Sequence, residues 1–207
     1  MRALFDEQKL VAVVRHSETK AAEEIAEGCI EAGWRAIEIT WTVPGAAAVV
    51  RQLVKRGGAG LLIGAGTILD ERQLDEALQA GAAFVVTPGT VPPVLDRCVD
   101  GGIPVLPGVL TPTEALTVRA RGVTTVKLFP ASTVGTGHLS ALKSVVPDLD
   151  IVPTGGVDER NAHCWLAAGA AAVGIGSSLN RAYAAGGRAA VAAMATALLH
   201  QLGGANP

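Results

Sequence analysis

The sequence predicts an α/β protein, a (β/α)8 TIM barrel folded as one domain over residues 1–207, and three observations carry that prediction. Short β-branched runs recur eight times, at 11–14, 36–40, 61–63, 83–86, 103–106, 124–128, 151–153 and 172–175. Their first residues lie 20 to 27 apart, the length of a strand, a loop, a helix and a return loop. The segments between them carry helical rather than strand periodicity. Eight such units in about 200 residues match a small barrel of parallel strands, each followed by a helix. An open doubly wound sheet is the alternative, because local units do not by themselves dictate closure.

Each element follows from its residues. Val11-Ala12-Val13-Val14 and Ala36-Ile37-Glu38-Ile39-Thr40 are apolar runs bounded by polar residues, as expected of strands buried on both faces. Ala22, Ile25, Ala26 and Cys29 repeat at i, i+3, i+4, i+7, as do Ala46, Val49, Val50 and Leu53. Asp70-x-x-Gln73 resembles a capping box, and Thr111-Pro112-Thr113-Glu114 is a better one, with proline at the first helical position. Gly33, Gly57, Gly81, Gly101, Gly122 and Gly169 stand where helices would end. Residues 2–9 read as an extra N-terminal helix and 187–203 as the last barrel helix. No linker, charge block or low-complexity stretch divides the chain.

Composition narrows the function classes. The chain is 49% hydrophobic, 17% charged and only 3% aromatic, so it has ample material for an aliphatic core and is not disordered. A net charge of −2 without any basic run argues against nucleic acid or an anionic membrane as partner. No uninterrupted apolar run reaches the ~18 residues of a membrane span. The first residues lack the apolar stretch of a secretory signal. Cys29, Cys98 and Cys164 are odd in number, widely spaced and set among apolar residues, which fits reduced thiols and a cytoplasmic protein.

Polar residues collect at the C-terminal ends of the strands, where barrels place their active sites. They are Arg15, Glu38, Thr40, Thr67, Thr87-Pro88, Lys127, Thr154-Gly155-Gly156 and Gly176-Ser177-Ser178. Lys127 lies inside a strand expected to be buried, on the same side as Thr125 and Phe129. Burial disfavours an ammonium, and a neutral amine attacks ketones to give a Schiff base; a structural ion pair would place a lysine there equally well. Glu38 is the one charge in its strand and shares a face with Thr40, and it reads as a proton-transfer group or a buried structural carboxylate. Arg15 suits bidentate binding of a carboxylate or phosphate, or a solvated rim position, and Thr67 has a hydroxyl for the same anion. The glycine-hydroxyl loops after strands 7 and 8 fit a phosphate, or simple tight turns. Asp158 reads as the cap of helix 7, and Trp41 as a pocket wall or a packing residue. His16 and His138 near helix starts, and the adjacent His163-Cys164, complete no zinc site.

Taken together, these segments resemble the 2-keto-3-deoxy-6-phosphogluconate (KDPG) aldolase family, whose members often also act as 4-hydroxy-2-oxoglutarate (KHG) aldolases. The matching pieces are Val13-Val14-Arg15, Ile37 to Pro44, Gly64-Ala65-Gly66-Thr67, Thr87-Pro88-Gly89, Pro107-Gly108-Val109, Val126 to Pro130, Pro153 to Val157 and Gly176-Ser177, in the family's order over residues 11–182. The resemblance implies a metal-independent class I aldolase that needs no cofactor, acts on a small 2-keto acid and is usually a homotrimer. It implies that Lys127 forms the Schiff base and that Glu38 is the general acid/base. Arg15 and Thr67 would hold the pyruvyl carboxylate and Gly155, Gly156 and Ser177 the phosphate. Phe129, Pro88, Thr40 and Thr154 would shape the pocket. Some members carry an arginine at the position of Thr42, and here Arg15 stands in for it. In the related galactonate branch the residue before the paired glycines tends to be valine, so Thr154 favours the gluconate epimer. The alternatives are a galactonate-type aldolase, a barrel that binds a phosphorylated metabolite without chemistry, and an epimerase. The last would be expected to show metal-ligand histidines on its strands.

Overall fold

The computed structural model describes residues 8–58 and 60–203. Among the described residues nine strands alternate with eight helices. In chain order β1 (Leu10–Val14) leads to α1 (Thr19–Glu31), β2 (Ala36–Thr40) to α2 (Ala46–Arg56) and β3 (Leu62–Gly66) to α3 (Glu71–Gln79). Next come β4 (Phe84–Val86) and α4 (Pro92–Asp100), then β5 (Val105–Leu106), β6 (Gly108–Val109) and α5 (Pro112–Arg119). Finally β7 (Thr125–Leu128) precedes a 3-10 turn and α6 (Gly135–Val145), β8 (Asp150–Pro153) precedes α7 (Ala162–Ala167), and β9 (Val173–Ile175) runs into α8 (Ser177–Gln201).

All strand pairs are parallel. A six-stranded sheet has the order β5-β4-β3-β2-β1-β9 and a three-stranded sheet the order β6-β7-β8. The two sheets approach at both edges. Between β8 and β9 a bridge joins Thr154 to Gly174, and the Ala171 N–H donates to the Ile151 carbonyl at 2.9 Å. Between β5 and β6 the chain itself continues through Pro107. That proline has no N–H to extend the β4 ladder, yet its carbonyl accepts from the Lys127 N–H at 3.0 Å. Pro107 thus separates β5, which falls within the predicted strand 103–106, from β6, which lies beyond it, and the two short strands serve different neighbours.

Strand alternation sorts the side chains into two layers. Val11, Ala36, Phe84, Val86, Leu106, Val152 and Ala172 pack together on the inner face. The opposite face, with Ala12, Val14, Ile37, Ile39 and Val85, packs against the helices through Ile25, Val49, Leu53, Leu74 and Leu95. Large and small residues interdigitate inside: a Cβ on Gly64 would lie 2.3 Å from the Phe84 ring, so that ring fills the space a side chain would take.

Several expectations are refined. The predicted strand 61–63 extends to Gly66, so Gly64-Ala65-Gly66 is strand rather than loop. The predicted helix 2–9 lies mostly outside the described residues, and Gln8 and Lys9 are not helical. The Gln8 side chain instead closes the start of the chain, bonding the Gly33 carbonyl at 2.8 Å and the Arg35 N–H at 2.6 Å. The last helix begins at Ser177, ten residues before its predicted start, and bends where Gly186 and Gly187 leave helical geometry. By length and composition α8 is apolar enough to cross a membrane. Here, however, Arg188 binds Glu27 and Glu31 of α1, tying the helix to the fold. Gly101 has helical φ, and Gly102 (φ 64°) makes the left-handed turn in its place. Cys29 and Cys98 are buried as expected, and burial pushes the Cys98 thiol up to about 11 and Cys29 well above its ordinary value. Cys164 is exposed instead, its Sγ 3.2 Å from His163 Nε2.

The Thr111 capping box forms as predicted. Glu114 accepts from the Leu110 and Thr111 N–H groups at 2.9 and 2.8 Å and from the Thr111 hydroxyl at 2.7 Å, while the Glu114 N–H donates back to that hydroxyl. Burial raises the carboxyl's pKa, but the three hydrogen bonds outweigh it and hold the group below its ordinary value. A depressed folded-state pKa stabilises above the unfolded value and is lost as pH falls through the folded one. Thr111→Ala is expected to cost about 1 kcal/mol at neutral pH, with the deficit shrinking below about pH 4. Thermal melts of both proteins across pH 3 to 7 check this.

Candidate active site

The inner face carries a buried pair of opposite charges. Glu38, centred in β2, and Lys127, in β7, both point inward, and Nζ of Lys127 lies 3.6 Å from Oε1 of Glu38. Their side chains are 2% and 6% exposed. This is a poor structural ion pair. Such pairs compensate their desolvation only when the remaining lone pairs are hydrogen-bonded. Among the described residues nothing donates a hydrogen bond to Glu38 Oε1. A buried carboxylate oxygen facing an amine, with no donor of its own, is a group prepared to exchange a proton with something that enters.

Two glycines make room for the pair and its surroundings. A Cβ on Gly66 would sit 1.9 Å from Glu38 Oε1, so the carboxylate occupies the space above a bare backbone. Gly174 serves Thr154 in the same way, with an added Cβ 2.2 Å from its hydroxyl. Gly66→Ala is therefore expected to fold, at about 1–3 kcal/mol for overpacking, while the aldol cleavage that the family resemblance implies is expected to drop by roughly 10²-fold in kcat, because Glu38 is displaced. Steady-state kinetics beside a thermal melt checks this, and a kcat within twofold of the parent would refute it.

Lys127 opens onto a cavity of about 310 Å³ at the C-terminal ends of the strands. Arg15, Phe129, Thr154, Gly155, Gly156 and Ser177 line it. The Phe129 ring lies 5.1 Å from Nζ of Lys127. At one side Arg15 Nη2 donates to the Thr67 hydroxyl at 3.0 Å. Thr67 holds a left-handed φ of 59°, a strained conformation for a β-branched residue and of a kind that concentrates at functional sites. Asn180, which also lines the cavity, donates to the Arg15 carbonyl at 2.8 Å and fixes the backbone from which the guanidinium extends.

On the other side Gly155 and Gly156 take φ of 88° and 80°, consecutive left-handed residues that favour glycine. Their loop is anchored through its carbonyls: Thr154 accepts from Ala131 N, Gly155 from Ser132 N and Gly156 from Asn161 Nδ2, at 2.8 to 2.9 Å. Ser177 is the first residue of α8, so its hydroxyl stands at a helix N-terminus, where anions are favoured.

The structure thus brings Arg15, Lys127, Phe129, Thr154, Gly155, Gly156 and Ser177 around one opening, while Thr67 and Glu38 stay outside the lining and meet it through Arg15 and Lys127. Pro88 lies outside the lining, its carbonyl packed over Gly108. Thr40 is buried and shares a 2.9 Å hydrogen bond with Thr42. Trp41 packs against the core and donates to Glu76 at 3.3 Å, so it is a packing residue rather than a pocket wall. His138 bonds the Leu110 carbonyl at 2.6 Å, and His16 meets the Tyr183 ring edge-on. Asp158 does not cap α7, which Asn161 precedes; it accepts instead from the Arg160 backbone and guanidinium. Those bonds hold its carboxyl below the ordinary range. Asn180 escaped sequence analysis, since an asparagine in the first turn of a helix signals nothing by itself. No cluster of three metal-ligating side chains occurs among the described residues.

Comparison with known proteins gives the family. The family model for KDPG and KHG aldolase matches residues 1–193. A protein of Rhizobium meliloti, named a probable 2-dehydro-3-deoxy-6-phosphogalactonate aldolase, is 38% identical over 84% of this chain and 82% of its own. The 2-dehydro-3-deoxy-phosphogluconate aldolase of Treponema pallidum is 35% identical over 74% and 73%. Among solved structures, KDPG aldolase from Legionella pneumophila, with pyruvate captured as a covalent carbinolamine, superposes with a TM-score of 0.86 at 28% identity, covering 95% of this chain and 97% of that one. With a match over nearly its whole length, and a buried lysine in the lining of its cavity that pairs with a glutamate, this chain belongs to the KDPG and KHG aldolase family and is a lyase.

Proposed function

We propose that the protein is a class I aldolase that cleaves 2-dehydro-3-deoxy-6-phosphogluconate to pyruvate and glyceraldehyde 3-phosphate, and also cleaves 4-hydroxy-2-oxoglutarate to pyruvate and glyoxylate. The observation that carries this reading is the buried Lys127–Glu38 pair, 3.6 Å apart, with one carboxylate oxygen lacking a donor. In this reading the neutral amine of Lys127 attacks the C2 ketone, and Glu38 passes the protons that turn the carbinolamine into an iminium with loss of water. Glu38 then takes the proton of the C4 hydroxyl. The C3–C4 electron pair moves to the iminium, the aldehyde leaves, and the enamine is protonated at C3. Water hydrolyses the resulting imine to pyruvate and restores the lysine. The iminium is the electron sink, so the reading requires neither metal nor cofactor.

Arg15 and Thr67 hold the pyruvyl carboxylate. Gly155, Gly156 and Ser177 hold the phosphate, and Phe129 with Thr154 bounds the carbon chain, with Pro88 and Thr40 supporting from behind. The two sheets, with the Thr154–Gly174 bridge on one edge and Pro107 on the other, are read as the staves of one (β/α)8 barrel forming a single domain. The reading extends to a cytoplasmic homotrimer, on family resemblance.

The epimer at C4 turns on Thr154, whose hydroxyl lies over Gly174 beside the cavity and is able to bond a substrate hydroxyl. That supports the gluconate epimer. The name of the Rhizobium meliloti relative supports the galactonate epimer as a second reading. The test is peptide mass spectrometry after incubation with pyruvate and borohydride, followed by pyruvate release from each epimer. A single reduced adduct on Lys127 with faster gluconate cleavage is expected. Folded protein that gains no adduct would sink the Schiff-base mechanism and leave a non-catalytic metabolite-binding barrel. Faster galactonate cleavage would transfer the assignment to the second reading.

A further inference from the structure

The phosphate end of the cavity contains backbone amides and one hydroxyl, while the cations in its lining, Arg15 and Lys127, have other partners. Just behind it lies an arginine that does not line the cavity. Arg181, one helical turn after Ser177, reaches back along α8 so that Nη1 is 3.4 Å from the Ser177 hydroxyl oxygen and Nη2 is 3.0 Å from that of Ser178. Its guanidinium is itself placed by acids from the preceding loop, Asp158 at 3.8 Å and Glu159 at 3.7 Å. Asp158 also pairs with Arg160 at 2.6 Å, and Glu159 accepts from the Ser178 hydroxyl at 2.7 Å.

The direction of these bonds matters. A guanidinium has donors and no acceptor. Each serine hydroxyl that accepts from Arg181 must therefore send its own proton elsewhere. Ser178 sends it to Glu159. Ser177 lines the cavity, and among the described residues its hydroxyl donates to no acceptor. We propose that Arg181 is a positioning residue that makes Ser177 an obligatory donor toward the substrate phosphate, and so sets the preference for phosphorylated aldehydes. The proposal rests on the phosphate-binding role given to Ser177 above. It also accounts for an otherwise unexplained arrangement, a 55%-exposed arginine spanning two serine hydroxyls and two carboxylates.

The experiment compares pyruvate condensation with glyceraldehyde 3-phosphate and with glyceraldehyde, acceptors that differ only in the phosphate. The proteins are the parent, Arg181→Met, Arg181→Lys, Ser177→Ala and the Arg181→Met/Ser177→Ala double variant. The ratio of KM for glyceraldehyde to KM for glyceraldehyde 3-phosphate is expected to fall about tenfold in Arg181→Met and in Ser177→Ala. Arg181→Lys is expected to recover part of it, and the double variant to fall no further than the single ones, because both remove the same interaction. A ratio unchanged in Arg181→Met, while the parent discriminates, overturns the proposal alone. An additive double variant also overturns it, since Arg181 would then act independently of Ser177. A parent that condenses pyruvate yet shows no preference between the two acceptors overturns the phosphate-site reading and this proposal with it. If Arg181→Met does not fold, Arg181→Lys and Ser177→Ala decide between the same outcomes.

Discussion

Lys127→Ala is expected to lower aldol cleavage by roughly 10⁴-fold or more and to abolish the borohydride-reduced pyruvate adduct, with the protein still folded. The size of the effect follows from what the amine supplies. Without an iminium the electron pair released from the C3–C4 bond has no acceptor, and removing a covalent participant deletes the route instead of weakening it. Stability reflects two opposing effects. The parent buries an ammonium-forming group whose partner carboxylate is 3.6 Å away and incompletely hydrogen-bonded. Against that, the variant strands Glu38 without its counter-charge and leaves a void, which costs stability. Peptide mapping, single-turnover cleavage and a thermal melt measure the three parts together. A variant that retains cleavage within tenfold of the parent would remove Lys127 from the mechanism.

Glu38→Gln has a different signature. The amide keeps the shape and loses the proton-carrying capacity, so kcat is expected to drop by about 10²–10⁴-fold. Lys127 remains, so the variant should still form a pyruvate adduct, only more slowly. Adduct without turnover separates proton transfer from imine formation. The variant is read by comparing the trapping rate with the steady-state rate; an equal small loss in both would make Glu38 a structural carboxylate. In this variant the amide presents either an oxygen or an N–H₂ group toward Lys127, and rescue by external carboxylates provides a further check on the missing base.

Lys127 and Glu38 were legible from sequence because a charge inside an apolar strand stands out at any resolution of reasoning, and strand alternation then puts it on a definite face. The strand–helix order was legible for the same reason, since the apolar runs and the helical periodicity are local. What escaped were relations between strands. Gly66 resembles any strand glycine until β2 and β3 are paired and the Glu38 carboxylate is found above it. Gly174 likewise gains its meaning only from Thr154, twenty residues earlier and one strand away. The short strand β6 beyond Pro107 was not foreseen, and its pairing with a ladder other than that of β5 depends on partners that no window of sequence contains. Thr40 and Pro88 sit at the expected strand ends, but a rim position does not say which way a side chain leans. Asp158 has the composition of a cap, and the arginine two residues on claimed its carboxylate instead.

The two side chains proposed to react belong to different hydrogen-bonded ladders. Glu38 is carried by the six-stranded sheet, Lys127 by the three-stranded one. The spacing between amine and carboxylate is therefore governed by how the sheets are seated on each other, through the Thr154–Gly174 bridge and the turn at Pro107, and by no continuous run of ladder bonds between them. A slight slip along that seam would separate acid from amine while leaving every strand and helix intact. Turnover is accordingly a finer gauge of the seam than ellipticity: mild denaturant that loosens the join silences the enzyme while its far-ultraviolet spectrum still reads as native.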